Sequence, residues 1–484
     1  MTNKTTKPTD CSKKNELFAI QKHYTKKIRA AYPNLRYHLT TYGCQMNDRD
    51  SELIAGMLEN MGCVQTDCQN SADVIIFNTC CVRENAENRL YGNLGKTKAL
   101  KQKKPNLKIV LCGCMMQQDI VIEKIKKSYD FVDIIFGTFN FFRLPQLLHD
   151  SYETNNQIID IWKEHTEIIE DLPSQRLFPF KASVNIMYGC NNGCSFCIVP
   201  FVRGRERSRH FSDIIKEIEG LVADGVKEVT LLGQNVNSYG KTLNPPTTFA
   251  KLLREINKID GLQRIRFMTS HPKDLSQELI DTMAQCEKIC KSLHLPVQSG
   301  SDNMLTKMNR SYTRADYIAL VKKIKEKIPN IILTTDILVG FPTETEADNN
   351  ATIELIKEVE FASAYTFLYS KRIGTKAATM ETQIPEHTAK ERFDKVLNAL
   401  KPISLKINQT QVGTTQSVLA ENQSKNDPAL LTGRLQNGLL VHFEAGPELI
   451  GQIFDIDIID CKTFYLIGGN AKKWYSKKQE NSEI

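Results

Sequence analysis

The stretch Tyr188-Gly189-Cys190-Asn191-Asn192-Gly193-Cys194-Ser195-Phe196-Cys197 packs three thiols into eight residues at the spacing C-x3-C-x2-C. An iron-sulfur cubane held by thiolates takes one cysteine per iron, so three cysteines leave one iron open to an exchangeable ligand. A closed zinc site would need a fourth protein ligand, and no Cys or His follows Cys197 until His210. The chain begins MTNKTTKPTDCSKKNELFAI, without the apolar core of a secretory signal, so a cytoplasmic location is expected. In that reducing compartment fourteen cysteines point to metal or redox chemistry and away from disulfides.

At 484 residues the chain is long enough for two or three cores. It is 41% hydrophobic and 25% charged, and no apolar run reaches the length needed to cross a bilayer, so no membrane partner is expected. The net charge of +7 is weaker support for nucleic acid than its size suggests. Residues 1–29 hold eight Lys/Arg against Asp10 and Glu16, which puts +6 of the charge in one arm. Residues 1–32 are therefore read as a disordered basic arm, and any RNA argument must rest on local patches.

From residue 33 to 150 short apolar strands alternate with amphipathic helices, as in βαβ units. Strands are expected near 36–42, 74–79, 107–112 and 132–136, with helices at 48–61, 82–104 and 118–128. This predicts a small doubly wound domain of about four strands. Cys44 (TYGCQMN), Cys80 (NTCCVRE) and Cys114 (LCGCMMQ) each follow a strand. Ligands bind at the carboxyl edge of such sheets, so three distant thiols can converge there. Cys81 and Cys112 compete for the role; Cys112 falls within its strand and Cys81 enters a helix, which favours Cys80 and Cys114. Cys63 and Cys68 read as small apolar side chains.

Residues 151–180 read as a linker. A second α/β run over 181–410 has six strands, near 183–189, 226–232, 264–269, 292–297, 331–339 and 363–369. Helices are expected at 212–224, 248–259, 275–290, 313–328 and 345–359. The pattern predicts a partial (β/α)6 TIM-like barrel whose chemistry lies at the carboxyl ends of its strands. The cysteine loop follows the first of these strands and resembles the cluster loop of the radical S-adenosylmethionine (SAM) superfamily, whose open iron chelates SAM. Gln234, Asn235, Ser270, His294, Gln298 and Gly340 fall on the same rim and become candidates for SAM contacts. Cys286 and Cys290, four apart on an expected helix, read as packing residues.

Arg203, Arg205, Arg207 and Arg209 alternate in VRGRERSR, so they would share one face if the segment is extended, a candidate grip for RNA phosphates or for the carboxylate of SAM. A helix is expected at 388–408. Short strands within 411–472, with a Gln436-Asn437-Gly438 hairpin turn, predict a five-stranded barrel on whose face Arg434 and His442 could meet RNA. Residues 473–484 read as a loose tail.

Together these motifs resemble the methylthiotransferases, a radical SAM family, over roughly residues 35–470. TYGCQMN, NTCCVRE and GCMMQ resemble its amino-terminal domain, MYGCNNGCSFCIVPFVRGRERSR and HLPVQSGS with ILVGFPTET its barrel, and the end a TRAM domain. The resemblance implies two [4Fe-4S] clusters, one on Cys190, Cys194 and Cys197 that cleaves SAM, and an auxiliary one on Cys44, Cys80 and Cys114 that presents sulfur. It implies methylthiolation at carbon 2 of the isopentenylated adenosine just 3′ of the anticodon in tRNA, with SAM as radical source and methyl donor. No catalytic side chain beyond the ligands is assigned. A sulfur or cluster carrier is implied as well; an electron donor such as flavodoxin or ferredoxin and a monomeric state are further expectations. Rival targets are the threonylcarbamoyl form of that adenosine or an aspartate of a small-subunit ribosomal protein; a rival class is an iron-sulfur electron-transfer or carrier protein.

Overall fold

A computed structural model describes residues 10–82, 84–164, 168–469 and 471. Residues 1–9 of the arm and the tail 473–484 lie outside that set. By contact density the chain forms two units. The first comprises the chain through Leu177 together with Tyr188–Asn191 and Ile198–Arg209, and the second holds Phe178–Met187, Asn192–Cys197 and His210 onward.

The first unit is built on six parallel strands, β1 (Arg36–Thr41), β2 (Val64–Gln65), β3 (Val74–Thr79), β4 (Lys108–Gly113), β5 (Ile134–Phe136) and β6 (Ile158–Asp160), in the order 2-1-3-4-5-6. Every residue of β3, β4 and β5 is buried, as a parallel sheet covered on both faces requires. One face packs Ile75, Phe77, Ile109 and Leu111, the other Val74, Ile76, Val110 and Cys112. Helices α1 (Asp10–Ala31), α2 (Gln45–Asn60), α3 (Glu84–Lys103), α4 (Asp119–Ser128) and α5 (Leu144–Thr154) cover the sheet.

Two expectations are corrected here. The arm is helical from Asp10, and the helix packs on the first unit: Ile28 is fully buried with Leu147 and Leu148, Gln21 and Thr25 are buried, and Tyr24 lies edge-on to His149, contacts that a composition reading as solvated does not reveal. The sheet has six strands instead of about four. The extra pair are edge strands of two and three residues, and β6 lies inside the expected linker, pairing Ile134 with Ile158. Edge strands this short carry almost no periodic signal.

In the second unit the strands Lys181–Asn185, Glu228–Leu232 and Arg264–Phe267 form one parallel sheet, and Ser292–His294, Ile332–Val339 and Ser363–Leu368 another. A bridge from Ile265 to Ile289 and a hydrogen bond from Ser270 N to His294 O join the two into an open six-stranded (β/α) wall. The intervening helices are Phe211–Ala223, Phe249–Asn257, Gln277–Gln285, Arg314–Lys327 and Glu346–Val359. The last two start at capping boxes, Thr313 with Asp316 and Thr345 with Asp348. The helix expected over 275–290 stops at Gln285, so Cys286 and Cys290 do not share a helix face; Cys290 is buried beyond it. Helix Glu386–Gln409 leads to a closed five-stranded barrel formed by strands Thr415–Gln423, Leu430–Leu435, Leu440–Glu444, Ile453–Cys461 and Leu466–Gly468. The hairpin between its second and third strands turns at Gly438, with φ of 88°.

Candidate functional site

Strands β1, β3 and β4 are adjacent and parallel, so their carboxyl ends open on one edge, and each leads to a cysteine: Cys44, Cys80 and Cys114. Glycines set the turns. Gly43 has φ of 124°, and a Cβ there would fall 2.6 Å from Cys80 Cβ and 2.9 Å from its Sγ. Gly113 has φ of 95°, and its Cβ would meet Asn78 Oδ1 at 2.4 Å. Only glycine permits both the left-handed turn and the close approach.

Cys44 caps α2, and one turn later the buried Asn47 reaches back to all three strand ends. Its Nδ2 donates to Tyr42 O and Thr79 O, both at 2.9 Å, while its Oδ1 lies 3.7 Å from Cys44 Sγ and 3.8 Å from Cys114 Sγ. Arg203 Nε donates to Cys114 Sγ at 3.1 Å, and its Nη2 donates to Asn47 Oδ1 at 3.0 Å and Asp50 Oδ2 at 2.6 Å. A hydrogen bond from the Cys81 side chain, aided by the Arg203 charge and opposed by burial, brings the Cys114 thiol down to about 7. Cys112 faces the opposite core layer, 3.7 Å from Phe77 O, and burial pushes its thiol well up. Cys80 lies against Gly43 while Cys81 reaches Cys114, so both remain at the edge.

The loop triad is divided between the units. In the first, Gly189 has φ of 74° and its Cβ would fall 2.1 Å from Arg205 O, while Cys190 N donates to Gly204 O at 3.1 Å. In the second, Ser195 N donates to Met308 O and Ala377 N to Ser195 O, and Asn309 Nδ2 donates to Gly193 O at 2.7 Å. Cys197 N donates to Cys194 O, and the buried Arg310 donates through Nη1 to Cys194 Sγ at 3.4 Å.

On the second unit's strand ends, Asn235 donates to Asp274 Oδ2 and accepts from His271 N, so its side chain is spent within the protein. Ser270 is buried with no partner for Oγ among the described residues. His294 shares a hydrogen bond with Thr334 Oγ1 at 2.9 Å, sets Nε2 3.4 Å from Asp336, and lies edge-on to the exposed Tyr365. Gln298 holds φ of 74° and pairs by backbone with the strand Ile332–Val339. Gly340, with φ of 76°, donates its N–H to Glu344, whose carboxyl burial pushes up to about 6. Gln234 lies beside them, half-buried.

The four arginines do not share one face. Val199–Val202 is a helical turn and the extended part is only Arg207–Ser208, so the period of two is broken. Arg203 is buried at the thiols, Arg209 is buried in a pair with Glu170, and Arg207 stacks over Phe139 and Tyr188. Arg205 alone is exposed. On the terminal barrel Arg434 donates to Gly438 O, and His442 lines a cavity of about 450 Å³ with Tyr465, Ile459 and Asp427.

Residues 36–137 match the uncharacterized protein family UPF0004, residues 184–356 the radical SAM superfamily and residues 409–469 the TRAM domain. The tRNA-2-methylthio-N(6)-dimethylallyladenosine synthase of Lachnoclostridium phytofermentans is 56% identical over 90% of this chain and 95% of its own. That of Alkaliphilus oremlandii is 54% identical over 90% and 92%. The chain belongs to the tRNA-2-methylthio-N(6)-dimethylallyladenosine synthase family. Among solved structures, the radical S-adenosylmethionine methyltransferase TsrM of Kitasatospora setae shares the fold at a TM-score of 0.51 and 14% identity, over 79% of this chain and 78% of that one.

This family uses SAM and [4Fe-4S] clusters, and the strand-end donor set fits such a group. It is all thiol, with Cys114 lowered towards the thiolate that ligation requires, while burial raises Cys44 against the pull of the Arg203 charge. Among the described residues no group of three or more His, Cys, Asp or Glu is arranged to hold a single metal ion. Sequence reasoning passed over Asn47, Asp50 and Arg310. Cys44, Asn47 and Asp50 recur every three residues along α2, a spacing that puts them on neighbouring positions of one face and could have flagged them.

Proposed function

We propose that this protein methylthiolates carbon 2 of the isopentenylated adenosine 3′ of the anticodon in tRNA, with Cys190, Cys194 and Cys197 holding one [4Fe-4S] cluster and Cys44, Cys80 and Cys114 the other. The observation that carries the reading is the pairing of two three-thiol sets with 56% identity to a synthase of that name along nearly the whole chain. When bound, the loop cluster supplies the electron that cleaves SAM and the strand-end cluster supplies an iron at which sulfur can be held.

The chain's own residues do the positioning. Gly43, Gly113 and Gly189 turn the backbone so that the following thiols leave the strand ends. Gln234, Ser270, His294, Gln298 and Gly340 are the candidates for SAM, with the buried, unpartnered Ser270 Oγ able to bond a polar group of the ligand. Asn235, already bonded twice, acts by fixing the His271–Asp274 turn. For RNA the candidates are the exposed Arg205, with Arg207 and Arg434; the TRAM barrel is a second contact surface. A flavodoxin or ferredoxin as reductant, and a carrier that restores sulfur, complete the cycle in the cytoplasm.

Reconstituted protein given SAM, reductant and isopentenylated tRNA is expected to yield 5′-deoxyadenosine and the 2-methylthio nucleoside, read by mass spectrometry. Alanine at any of the six ligands is expected to abolish the second product, and Cys286→Ala to leave it. Product on threonylcarbamoylated tRNA alone would move the substrate assignment, and absence of 5′-deoxyadenosine would end the enzyme reading. Replacing Arg205 with Ala is expected to lower the salt slope of tRNA binding by about one.

A further inference from the structure

Arg203 stands in a run of surface-looking arginines, yet it is only 5% exposed and bonds a thiol. The short helical turn Val199–Val202 aims it: Arg203 N donates to Val199 O at 2.8 Å, and Thr138 Oγ1 donates to Val202 O at 2.6 Å, anchoring the turn within the first unit. Its guanidinium then spends Nε on Cys114 Sγ and Nη2 on Asp50 and Asn47. Both partners of the Arg203–Asp50 pair are buried, with side chains 6% and 9% exposed. Burying two charges is costly, and an apolar pair of the same volume is often as stable. Asp50's other oxygen, Oδ1, has no hydrogen-bond partner among the described residues, so the carboxylate is not there to complete a polar network.

We infer that Arg203, held by Asp50, is a positioning residue that fixes the Cys114 thiolate and tunes the cluster at the strand-end triad through a charge-assisted N–H···S hydrogen bond. The inference rests on the ligand reading above. A donor bonded to a ligand sulfur draws electron density from the iron, which favours the reduced cluster and raises its potential. Outer partners of metal ligands commonly change affinity or activity by about 10- to 100-fold when removed. Lysine cannot replace Arg203 fully, because the thiol, amide and carboxylate contacts are made by one planar fork.

The test uses the full-length protein with Cys190, Cys194 and Cys197 all changed to Ala, so that only the strand-end cluster forms. Into it go Arg203→Gln, Arg203→Lys and Asp50→Asn. Iron and sulfide are counted, the potential is read by titration followed by electron paramagnetic resonance, and the Fe–S(Cys) stretches are compared by resonance Raman in water and D2O. The potential is expected to fall in Arg203→Gln, which loses both the donor and the cation, and to rise in Asp50→Asn, which removes the neutralising carboxylate but keeps the donor, and the deuterium sensitivity of a stretch to disappear in Arg203→Gln while Lys restores part of it. If Arg203→Gln loses its cluster, Asp50→Asn decides. Full clusters with unchanged potential and unchanged deuterium response would overturn the role of Arg203. A parent protein with no cluster would instead overturn the ligand assignment, and this inference with it.

Discussion

Cys44, Cys80 and Cys114 are brought together by three strands of one sheet, whereas Cys190, Cys194 and Cys197 sit in one loop whose halves belong to different units. The first arrangement is fixed by topology, the second by local turns. Even so, they share two devices. A glycine at positive φ precedes Cys44, Cys114 and Cys190, and one buried arginine donates to a thiol in each set, Arg203 to Cys114 and Arg310 to Cys194. They differ in how that charge is met. Arg203 is paired with Asp50, while Arg310 spends its other donors on Tyr312 Oη and Pro296 O, neutral groups. The strand-end thiols therefore face a balanced ion pair, and Cys194 faces a cation without a carboxylate in contact among the described residues.

The largest test of this contrast is which thiol at β3 belongs to the triad. Cys80→Ala is expected to remove one cubane, lowering iron from about eight to about four per chain, whereas Cys81→Ala keeps both and shifts only the environment of Cys114, to which it is bonded. Iron and sulfide analysis of anaerobically purified protein reads the difference. The reverse result would exchange their roles and make Cys81, not the residue directly after the strand, the ligand.

Next in size are the glycines. Gly113→Ala and Gly189→Ala force a side chain into a left-handed turn, costing roughly 1–3 kcal/mol, and drive a Cβ into backbone at 2.5 and 2.1 Å. Gly113→Ala is expected to lower both thermal stability and strand-end cluster content; Gly189→Ala is expected to act on the loop cluster. Gly92 is the control, an exposed position on α3 with nothing within 4 Å of an added Cβ. There Ala should stabilise by about 1 kcal/mol. A loss of the strand-end cluster in Gly189→Ala would break the division drawn between the two triads.

Much of this was readable in the sequence because each feature had a local signature. Apolar runs such as Val74–Thr79 and Ile332–Val339 marked the strands, and Gly-Cys pairs after them marked the turns. What escaped notice depended on tertiary contact. Nothing in the alternation of VRGRERSR distinguishes the buried Arg203 and Arg209 from the exposed Arg205; the distinction arises because Val199–Val202 coils and Asp50 and Glu170 lie opposite. Similarly, the arm's helix buries Gln21, Thr25 and Ile28 against the first unit, which its charged neighbours conceal. Among the six SAM candidates, Asn235 looked equivalent to Ser270, and only the hydrogen-bond partners separate a spent side chain from an available one.

The smallest effect probes the uncompensated charge of Arg310. Burial first, then the Arg310 and Lys273 cations, push the buried His271 down to about 3 from its ordinary 6.5, with Asp274 acting the other way. Below about pH 6.5 the unfolded chain binds a proton here that the folded chain refuses until about pH 3, so stability falls as pH drops through that window. Replacing His271 with Gln should flatten that part of the stability profile. Arg310→Gln should raise the His271 pKa while leaving it below 6.5, because burial is the larger cause and remains. Nuclear magnetic resonance titration of the imidazole follows the shift directly. An unmoved His271 would mean that the Arg310 charge is met after all, and the asymmetry between the two arginine-bonded thiols would have to be sought in their hydrogen-bond geometry alone.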